Sequence, residues 1–135
     1  MIAADTSVVV AAFASWHEQH EAADRALSQG ARLVAHSALE VYSVLTRLPA
    51  PHRAPAALVR DFLEARFPEP YLALDADGHR ALVPRLVELG ITGGATYDAL
   101  ISATAAHAGA TLVSCDRRAT ITYERLGVRV KLLPP

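Results

Sequence analysis

Short apolar runs alternate along the whole chain with longer segments in which apolar residues recur every three or four positions. The short runs are typical of buried strands, and the longer spacing is typical of amphipathic helices. Strands are predicted at residues 2–5, 31–36, 71–74, 111–115 and 128–133. Helices are predicted from residue 6, with a continuation at 18–29, and at 37–48, 56–66, 78–89, 96–108 and 117–126. Strands separated by helices predict an α/β fold, a three-layer sandwich with a central parallel sheet of about five strands flanked by helices.

The predicted helix boundaries follow from residues that favour helix ends. Gly30 and Gly90 each follow a helical segment, and glycine is the favoured residue just beyond a helix. Ser37 is predicted to cap the helix 37–48, with Glu40 at the spacing of a capping box. The segment 90–94 is predicted to be a flexible loop, because it lacks the lysine and the preceding strand of a phosphate-binding loop.

Composition is typical of an ordinary globular protein. The 135 residues, 52% of them hydrophobic and 20% charged, predict one domain, 1–135, with one core. A net charge of −1 does not indicate a nucleic-acid-binding protein. The basic residues are nonetheless almost all arginine, with Lys131 as the single lysine. Arginine suits bidentate contact with phosphate, although a nucleotide bias of the genome explains the same ratio.

Cysteine usage and hydropathy bear on the compartment. Cys115 is the only cysteine, so no internal disulfide can form and a reducing environment is expected. The apolar run 8–14 is preceded by Asp5 and by no basic residue, which is unlike a signal peptide. No apolar run has the length needed to cross a bilayer. We therefore expect a cytoplasmic protein that does not associate with membranes.

Four carboxylates occupy positions where a globular fold normally places apolar or neutral residues; they are Asp5, Glu40, Asp98 and Asp116. Asp5 and Asp116 follow the first and fourth predicted strands. In parallel sheets the ligand crevice lies beyond the carboxyl ends of the strands, so both are expected to face one crevice if their strands are neighbours.

The other two acids lie on predicted apolar helix faces. Asp98 shares its face with Ile101, Ala105 and Ala108, and Glu40 shares its face with Val44 and Leu48. Both helices are expected to pack these faces on the sheet. The sequence thus predicts that all four acids approach the same edge of the core.

Each acid also has a purely structural explanation. Asp5 and Asp116 are predicted helix N-caps, Glu40 would complete the capping box, and Asp98 lies in a first helical turn. Capping does not account for four acids of which three lack a basic neighbour in sequence. Carboxylates gathered at a buried edge repel one another and lose hydration, unless a divalent cation neutralises them. Mg²⁺ and Mn²⁺ prefer such all-oxygen sites, so the pattern predicts a metal-dependent hydrolase of phosphodiesters.

Other reactive residues give weaker predictions. His17 and His20 lie three residues apart, as in some zinc sites, but no third ligand is near them in sequence. Cys115 has an acidic neighbour that is expected to raise its pKa, which opposes a role as a nucleophile. Arg117 and Arg118 directly follow the last of the four acids. They either contact RNA phosphates beside the metal or merely offset the local negative charge.

Four short motifs together resemble the PIN-domain ribonucleases, and in particular the VapC toxins of bacterial toxin–antitoxin pairs. In chain order they are Ile-Ala-Ala-Asp-Thr-Ser at 2–7, Ser-Ala-Leu-Glu-Val at 37–41, Tyr-Asp-Ala-Leu-Ile at 97–101 and Leu-Val-Ser-Cys-Asp at 112–116. The resemblance covers the whole chain in length, order and spacing. One departure is Ser114, where such toxins often carry threonine.

The resemblance implies roles for these residues. Asp5 and Asp98 would be direct metal ligands, while Glu40 and Asp116 would hold metal-bound water or a second ion. The implied activity is that of an endoribonuclease, in which water activated by Mg²⁺ or Mn²⁺ hydrolyses the RNA phosphodiester bond.

The resemblance also implies roles for two hydroxyl side chains and a set of partners. Thr6 and Ser114 would support the acids by hydrogen bonds, or would serve only as caps at the strand ends. The implied partners are a single-stranded or structured RNA substrate, a VapB-like antitoxin that covers the acidic pocket, and a second copy of the chain in a homodimer. The apolar helices on either side of the segment 49–55 are candidates for the dimer contact, although core packing explains them as well.

Two alternative functions are compatible with the same fold: a catalytically silent binding module and a PIN nuclease of RNA processing.

Overall fold

A four-stranded parallel sheet lies at the centre of the computed structural model, which describes all residues from Met1 to Pro135. The strands are β1 (Ile2–Ala4), β2 (Arg32–Leu33), β3 (Thr111–Ser114) and β4 (Arg129–Leu132). Their order across the sheet is β2-β1-β3-β4, and every neighbouring pair is parallel. The first strand and the strand at 111–115 are neighbours, with Ala4 opposite Val113, which meets the condition for Asp5 and Asp116 to face one crevice.

Seven helices cover this sheet: α1 (Thr6–Phe13), α2 (His20–Ser28), α3 (Ala35–Arg47), α4 (Ala56–Arg66), α5 (Ala76–Leu89), α6 (Ala95–His107) and α7 (Arg117–Arg125). Successive strand residues point to opposite faces of a sheet. Ala4 accordingly packs in a core with Val8 and Val41 on the side of α1–α4, whereas Ala3 packs with Ile101 on the side of α6 and α7. The predicted three-layer α/β sandwich is confirmed. None of the helices is both long and apolar enough to cross a membrane.

The sheet has four strands where the sequence predicts about five. The segment 71–74 forms one isolated parallel bridge, between Leu72 and Val34, and is not a strand of its own. Leu72 donates its N–H to the Leu33 carbonyl at 2.9 Å, and Ala35 donates to the Leu72 carbonyl at 2.8 Å. The segment is too short to continue, because Pro70 precedes it and Asp75 already caps α5.

The predicted cap at Ser37 is wrong. Helix α3 begins at Ala35, two residues earlier, and its N-cap residue is Val34. The Leu72 carbonyl accepts the Ala35 N–H across the sheet edge, so the first N–H group of the helix is bound by backbone. Ser37 lies inside the helix, fully buried, and its Oγ has no hydrogen-bond partner. Glu40 is therefore released from the predicted capping box.

Replacing Ser37 with alanine is expected to raise the free energy of unfolding by about 1 kcal/mol, because a buried hydroxyl without a partner destabilises the folded state. Urea denaturation measures this change. Ser43→Ala in the same helix is the matched control, since Ser43 is exposed and its loss is expected to change stability by less than about 0.5 kcal/mol. A destabilised Ser37→Ala protein would contradict the prediction.

The helical segment predicted from residue 6 to residue 29 is interrupted. Helix α1 ends at Phe13 and α2 starts at His20. Consecutive turns fill the connection, with His17 N–H donating to the Ala14 carbonyl at 2.9 Å and His20 N–H donating to the His17 carbonyl at 3.0 Å. The break redirects the chain, so that α1 and α2 pack against each other.

Candidate active site

A cavity of about 590 Å³ opens at the carboxyl ends of β1 and β3. All four acids singled out in the sequence line it, although they come from four separate parts of the chain; they are Asp5, Glu40, Asp98 and Asp116. Thr6, Ser7, Cys115, Arg117, Arg118 and Tyr123 are also among the lining residues. The parallel pairing of β1 with β3 brings Asp5 and Asp116 to one edge, as the sequence rule for such sheets predicts.

Asp5 is the most buried acid and the most firmly held. Its Oδ1 accepts hydrogen bonds from the Ser7 hydroxyl at 2.6 Å and from the Val8 N–H at 3.1 Å. Its Oδ2 accepts a hydrogen bond from the Tyr123 hydroxyl at 2.9 Å. Burial raises the pKa of Asp5 above its usual value, although these hydrogen bonds oppose the rise. The carboxyl group is thus fixed in orientation by contacts on both oxygens.

Glu40 approaches the cavity from helix α3. Its Oε1 accepts a hydrogen bond from the Thr6 hydroxyl at 2.7 Å, and its Oε2 lies 3.6 Å from the His36 Nε2. The histidine is one turn earlier on the same helix. Glu40 therefore has a basic neighbour in the folded protein, which was not predicted from the sequence.

The helical face of Glu40 differs from the one predicted. Val41 and Leu45 are the buried residues of this part of α3, whereas Val44 and Leu48 are only partly buried. Glu40 consequently lies at the margin of the packed face and not within it. This position leaves its carboxylate partly exposed to the cavity.

Asp98 lies in the first turn of α6 and is half-buried. Ile101 and Ala105, on the same helical face, are fully buried as predicted. Burial and the negative charges of Asp116, Glu40 and Asp5 raise the pKa of Asp98 to about 6. The four acids are therefore close enough for their charges to act on one another.

Asp116 is exposed and caps helix α7. Its Oδ1 accepts hydrogen bonds from the N–H groups of Arg118 at 3.0 Å and Ala119 at 3.2 Å. The Ser114 hydroxyl in turn accepts a hydrogen bond from the Asp116 N–H at 2.9 Å. Capping and a place in the cavity are thus compatible for Asp116, as they are for Asp5, which caps α1 through the Val8 N–H.

Two comparisons with known proteins bear on this geometry. A sequence model of the PIN domain matches residues 2–124. The chain belongs to the PIN domain family. Ribonuclease VapC40 of Mycobacterium tuberculosis (strain ATCC 25618 / H37Rv) is 57% identical to it over 133 residues, which cover 98% of this chain and 99% of that protein. Ribonuclease VapC27 of the same strain is 39% identical over 130 residues, covering 96% of this chain and 94% of that protein.

Two residues of this PIN domain that contact Asp5 were given no role from the sequence. Ser7 belongs to the first motif; its hydroxyl donates to Asp5 and accepts a hydrogen bond from the Cys115 N–H at 2.8 Å, which joins the ends of β1 and β3. Tyr123 lies one turn after Ala119 on the buried face of α7. Helical spacing predicts its burial, but no local pattern shows that its hydroxyl reaches Asp5 from the far end of the sequence.

The donor set of this PIN domain suits a hard divalent cation, because it consists of carboxylate and hydroxyl oxygens. Burial first, and then the negative charges of Asp116, Glu40 and Asp5, raise the pKa of Asp98, and a bound cation would offset both effects. No three of the His, Cys, Asp and Glu side chains, however, are close enough together to hold one ion between them. Binding therefore requires at least one carboxylate to rotate, and Asp5 is the one that its hydrogen bonds hold in place.

The other reactive residues considered from the sequence are His17, His20 and Cys115. His17 is not on a helix, and its Nδ1 accepts a hydrogen bond from the Gln19 N–H at 3.0 Å. His20 binds the Ala11 carbonyl through its Nδ1 at 2.9 Å. Neither ring belongs to a group of three His, Cys, Asp or Glu side chains close enough to hold one ion, so the pair gives no support to a zinc site. Burial and the charge of Asp5 raise the pKa of Cys115 to about 11, which leaves the thiol protonated near neutral pH, as expected.

Proposed function

We propose that this PIN domain is an endoribonuclease, the toxin of a toxin–antitoxin pair, which hydrolyses RNA with Mg²⁺ or Mn²⁺. In this proposal residues 1–135 act as one nuclease domain, with Asp5, Glu40, Asp98 and Asp116 as its site. The observation that supports it most is that these four acids, from four separate parts of the chain, line one cavity at the carboxyl ends of β1 and β3. The names and high identity of the VapC ribonucleases agree with this assignment.

The proposed roles follow from how each side chain is held. Asp5 is the fixed ligand, since its carboxyl cannot turn without breaking contacts to Ser7 and Tyr123. Asp98 is the second direct ligand, and Glu40 and Asp116 supply the remaining negative charges of the cavity. A bound cation supplies an activated water and neutralises charge on the phosphoryl oxygen.

The hydroxyl groups have different proposed roles. Thr6 orients Glu40 through its 2.7 Å hydrogen bond and so fixes the position of that carboxylate in the cavity. Ser114 binds the backbone N–H of Asp116 and fixes the start of α7. In this proposal Ser114 acts on the backbone of the turn, and Thr6 acts on a carboxylate directly.

Arg117 and Arg118 are the proposed RNA-phosphate contacts. Both line the cavity, are exposed, and form no salt bridge with an acid. Replacing both with alanine is expected to weaken RNA binding and to reduce the slope of log affinity against log salt by about 1 to 2, because fewer counterions are released. Fluorescence anisotropy across a salt series measures the slope. Arg80→Ala with Arg85→Ala on α5 is the matched control, and an unchanged slope in the Arg117/Arg118 variant would contradict the proposed contact.

Incubating the purified protein with single-stranded RNA, with and without Mn²⁺, tests the activity. We expect cleavage with Mn²⁺ or Mg²⁺ and none with EDTA. RNA that stays intact with every divalent cation, but still binds, would favour the alternative of a catalytically silent binding module. Sequencing the cellular RNAs that are cleaved after induced expression would distinguish a toxin from a processing nuclease.

The proposed partners follow from the proposed activity. The VapC names of the relatives support an antitoxin of the VapB type, and a basic side chain of that antitoxin would complement the acidic cavity. Co-expression with the antitoxin is expected to suppress cleavage. We also propose a cytoplasmic location, because that is where the RNA substrate is found.

A homodimer is proposed through the exposed apolar surface of α3 and α4. Leu39 is 72% exposed and lines one groove with Tyr42 and Tyr71, and Leu58 on α4 is 55% exposed. Exposed apolar side chains grouped in this way are typical of protein contact surfaces. Light scattering on the purified protein tests the dimer, and a strict monomer at all concentrations would contradict it.

A further inference from the structure

An aromatic surface lies at the rim of the acidic cavity, in the connection between α1 and α2. Trp16 is 50% exposed, and its ring centroid lies 4.2 Å from that of His52 at an angle of 33°. Its centroid lies 6.0 Å from that of His17, which is itself a lining residue of the cavity. A large, half-exposed aromatic ring thus lies beside a lining residue of the acidic cavity.

The ring is held in place by contacts from two connections. The 14–20 connection is closed by the turn from His17 N–H to the Ala14 carbonyl, at 2.9 Å. The connection that carries His52 is closed by its N–H, which donates to the Pro49 carbonyl at 3.0 Å. His52 therefore packs against the Trp16 ring, while half of the Trp16 surface remains exposed to solvent. Core packing does not explain this arrangement, because Trp16 belongs to none of the three buried clusters.

We propose that Trp16, supported by His52, is a stacking platform for a nucleobase of single-stranded RNA. The inference rests on the proposed ribonuclease function. RNA whose phosphodiester bond enters the acidic cavity, next to Arg117 and Arg118, has its neighbouring bases within reach of the rim. Bases stack on exposed aromatic rings, and each such contact contributes substantially to affinity for single strands. Paired bases in a duplex are already stacked and cannot use the platform.

Trp16 is the only tryptophan, so its fluorescence reports on the platform directly. The wild-type protein is titrated in EDTA with a single-stranded 12-nucleotide RNA, with a duplex of the same sequence, and with an abasic oligonucleotide of the same length. We expect saturable quenching of the emission by the single strand only, while anisotropy reports binding independently. Equal quenching by the abasic oligonucleotide, or binding of the single strand without quenching, would overturn the proposal.

Cleavage kinetics give the second test. Trp16→Ala is expected to raise KM about tenfold with kcat unchanged, and Trp16→Phe is expected to retain most of the wild-type KM. Val87→Ala is the matched control, because Val87 is a large apolar side chain that is 76% exposed and lies outside both the cavity and the proposed dimer surface. A Trp16→Ala enzyme with the wild-type KM would overturn the platform and leave the ribonuclease proposal standing. Wild-type protein that neither binds nor cleaves RNA would overturn both.

Trp16 in a protein contact is the competing explanation. Light scattering of Trp16→Ala and its binding to the antitoxin are measured beside the kinetics. A variant that loses dimerisation or antitoxin binding, but keeps its KM for RNA, would assign the ring to that contact and overturn the proposal. Loss of RNA affinity with both protein contacts intact supports it.

Discussion

Replacing Asp98 with asparagine is expected to reduce Mn²⁺-dependent RNA cleavage by at least about a hundredfold, while the protein stays folded. Loss of a group that only supports a metal ligand already costs about 10- to 100-fold, so loss of a proposed ligand is expected to cost no less. Asparagine keeps the shape of the side chain and removes the charge. Because burial and the charges of Asp116, Glu40 and Asp5 disfavour ionised Asp98, removal of its charge is expected to stabilise the metal-free protein near neutral pH.

Asp77→Asn is the matched control for this variant. Asp77 is exposed and lies in the first turn of α5, just as Asp98 lies in the first turn of α6, but it is outside the cavity. Initial rates on one RNA and melting curves are measured for both variants and for the wild type. An Asp98→Asn protein that cleaves at the wild-type rate would contradict the proposed ligand. A variant that loses activity together with its melting transition would show damage to the fold.

Mn²⁺ is expected to stabilise the protein strongly at pH 8 and much less at pH 5. At a concentration one hundred times its Kd, a ligand raises the free energy of unfolding by about 2.7 kcal/mol. For a chain of this size that corresponds to an increase in Tm of roughly 10 °C. Asp98, with a pKa of about 6, is mostly protonated at pH 5 and must release its proton before it can bind a cation. The affinity is therefore expected to fall about tenfold for each pH unit below 6, which lowers the stabilisation at pH 5 to about half or less.

In the metal-free protein, the contribution of Asp98 to the free energy of unfolding changes with pH in the opposite direction. In the unfolded chain Asp98 ionises near pH 3.8, whereas in the folded protein it holds its proton to about pH 6. Between these values the folded state binds more protons, so the free energy of unfolding falls as the pH rises from about 4 to about 6. Calorimetric melting with and without Mn²⁺ across this range measures both trends. Stabilisation by Mn²⁺ that is the same at pH 5 and pH 8, or that persists in Asp98→Asn, would contradict the assignment.

The strand ends could be predicted because parallel sheets obey simple rules. The acids Asp5 and Asp116 each follow an apolar run, and parallel strands place their carboxyl ends at one edge. Asp98 could be placed because helical spacing aligned it with Ile101 and Ala105, both of which are buried. The coarse fold and these three cavity residues therefore follow from local patterns and from strand direction.

Other features depend on contacts between distant segments, which local patterns do not encode. Helix α3 starts at Ala35, whose N–H is bound by the Leu72 carbonyl from a distant segment, and not at a serine cap. Because α3 starts two residues earlier than predicted, Glu40 is not part of a capping box. Its carboxylate instead accepts a hydrogen bond from the Thr6 hydroxyl. The hydrogen bond from Tyr123 to Asp5 joins residues 118 positions apart, and nothing near either residue in sequence indicates it.

The strand order also constrains when the cavity can exist during synthesis. Strand β1 lies between β2 and β3, and its partner β3 begins only at Thr111. A nascent chain that has emerged through α6 has Asp5, Glu40 and Asp98, but it lacks β3, the hydroxyl of Tyr123 and the last acid. Nearly the whole polypeptide must therefore be synthesised before its four carboxylates can be assembled around one opening, so an interrupted translation product lacks the complete acidic cavity.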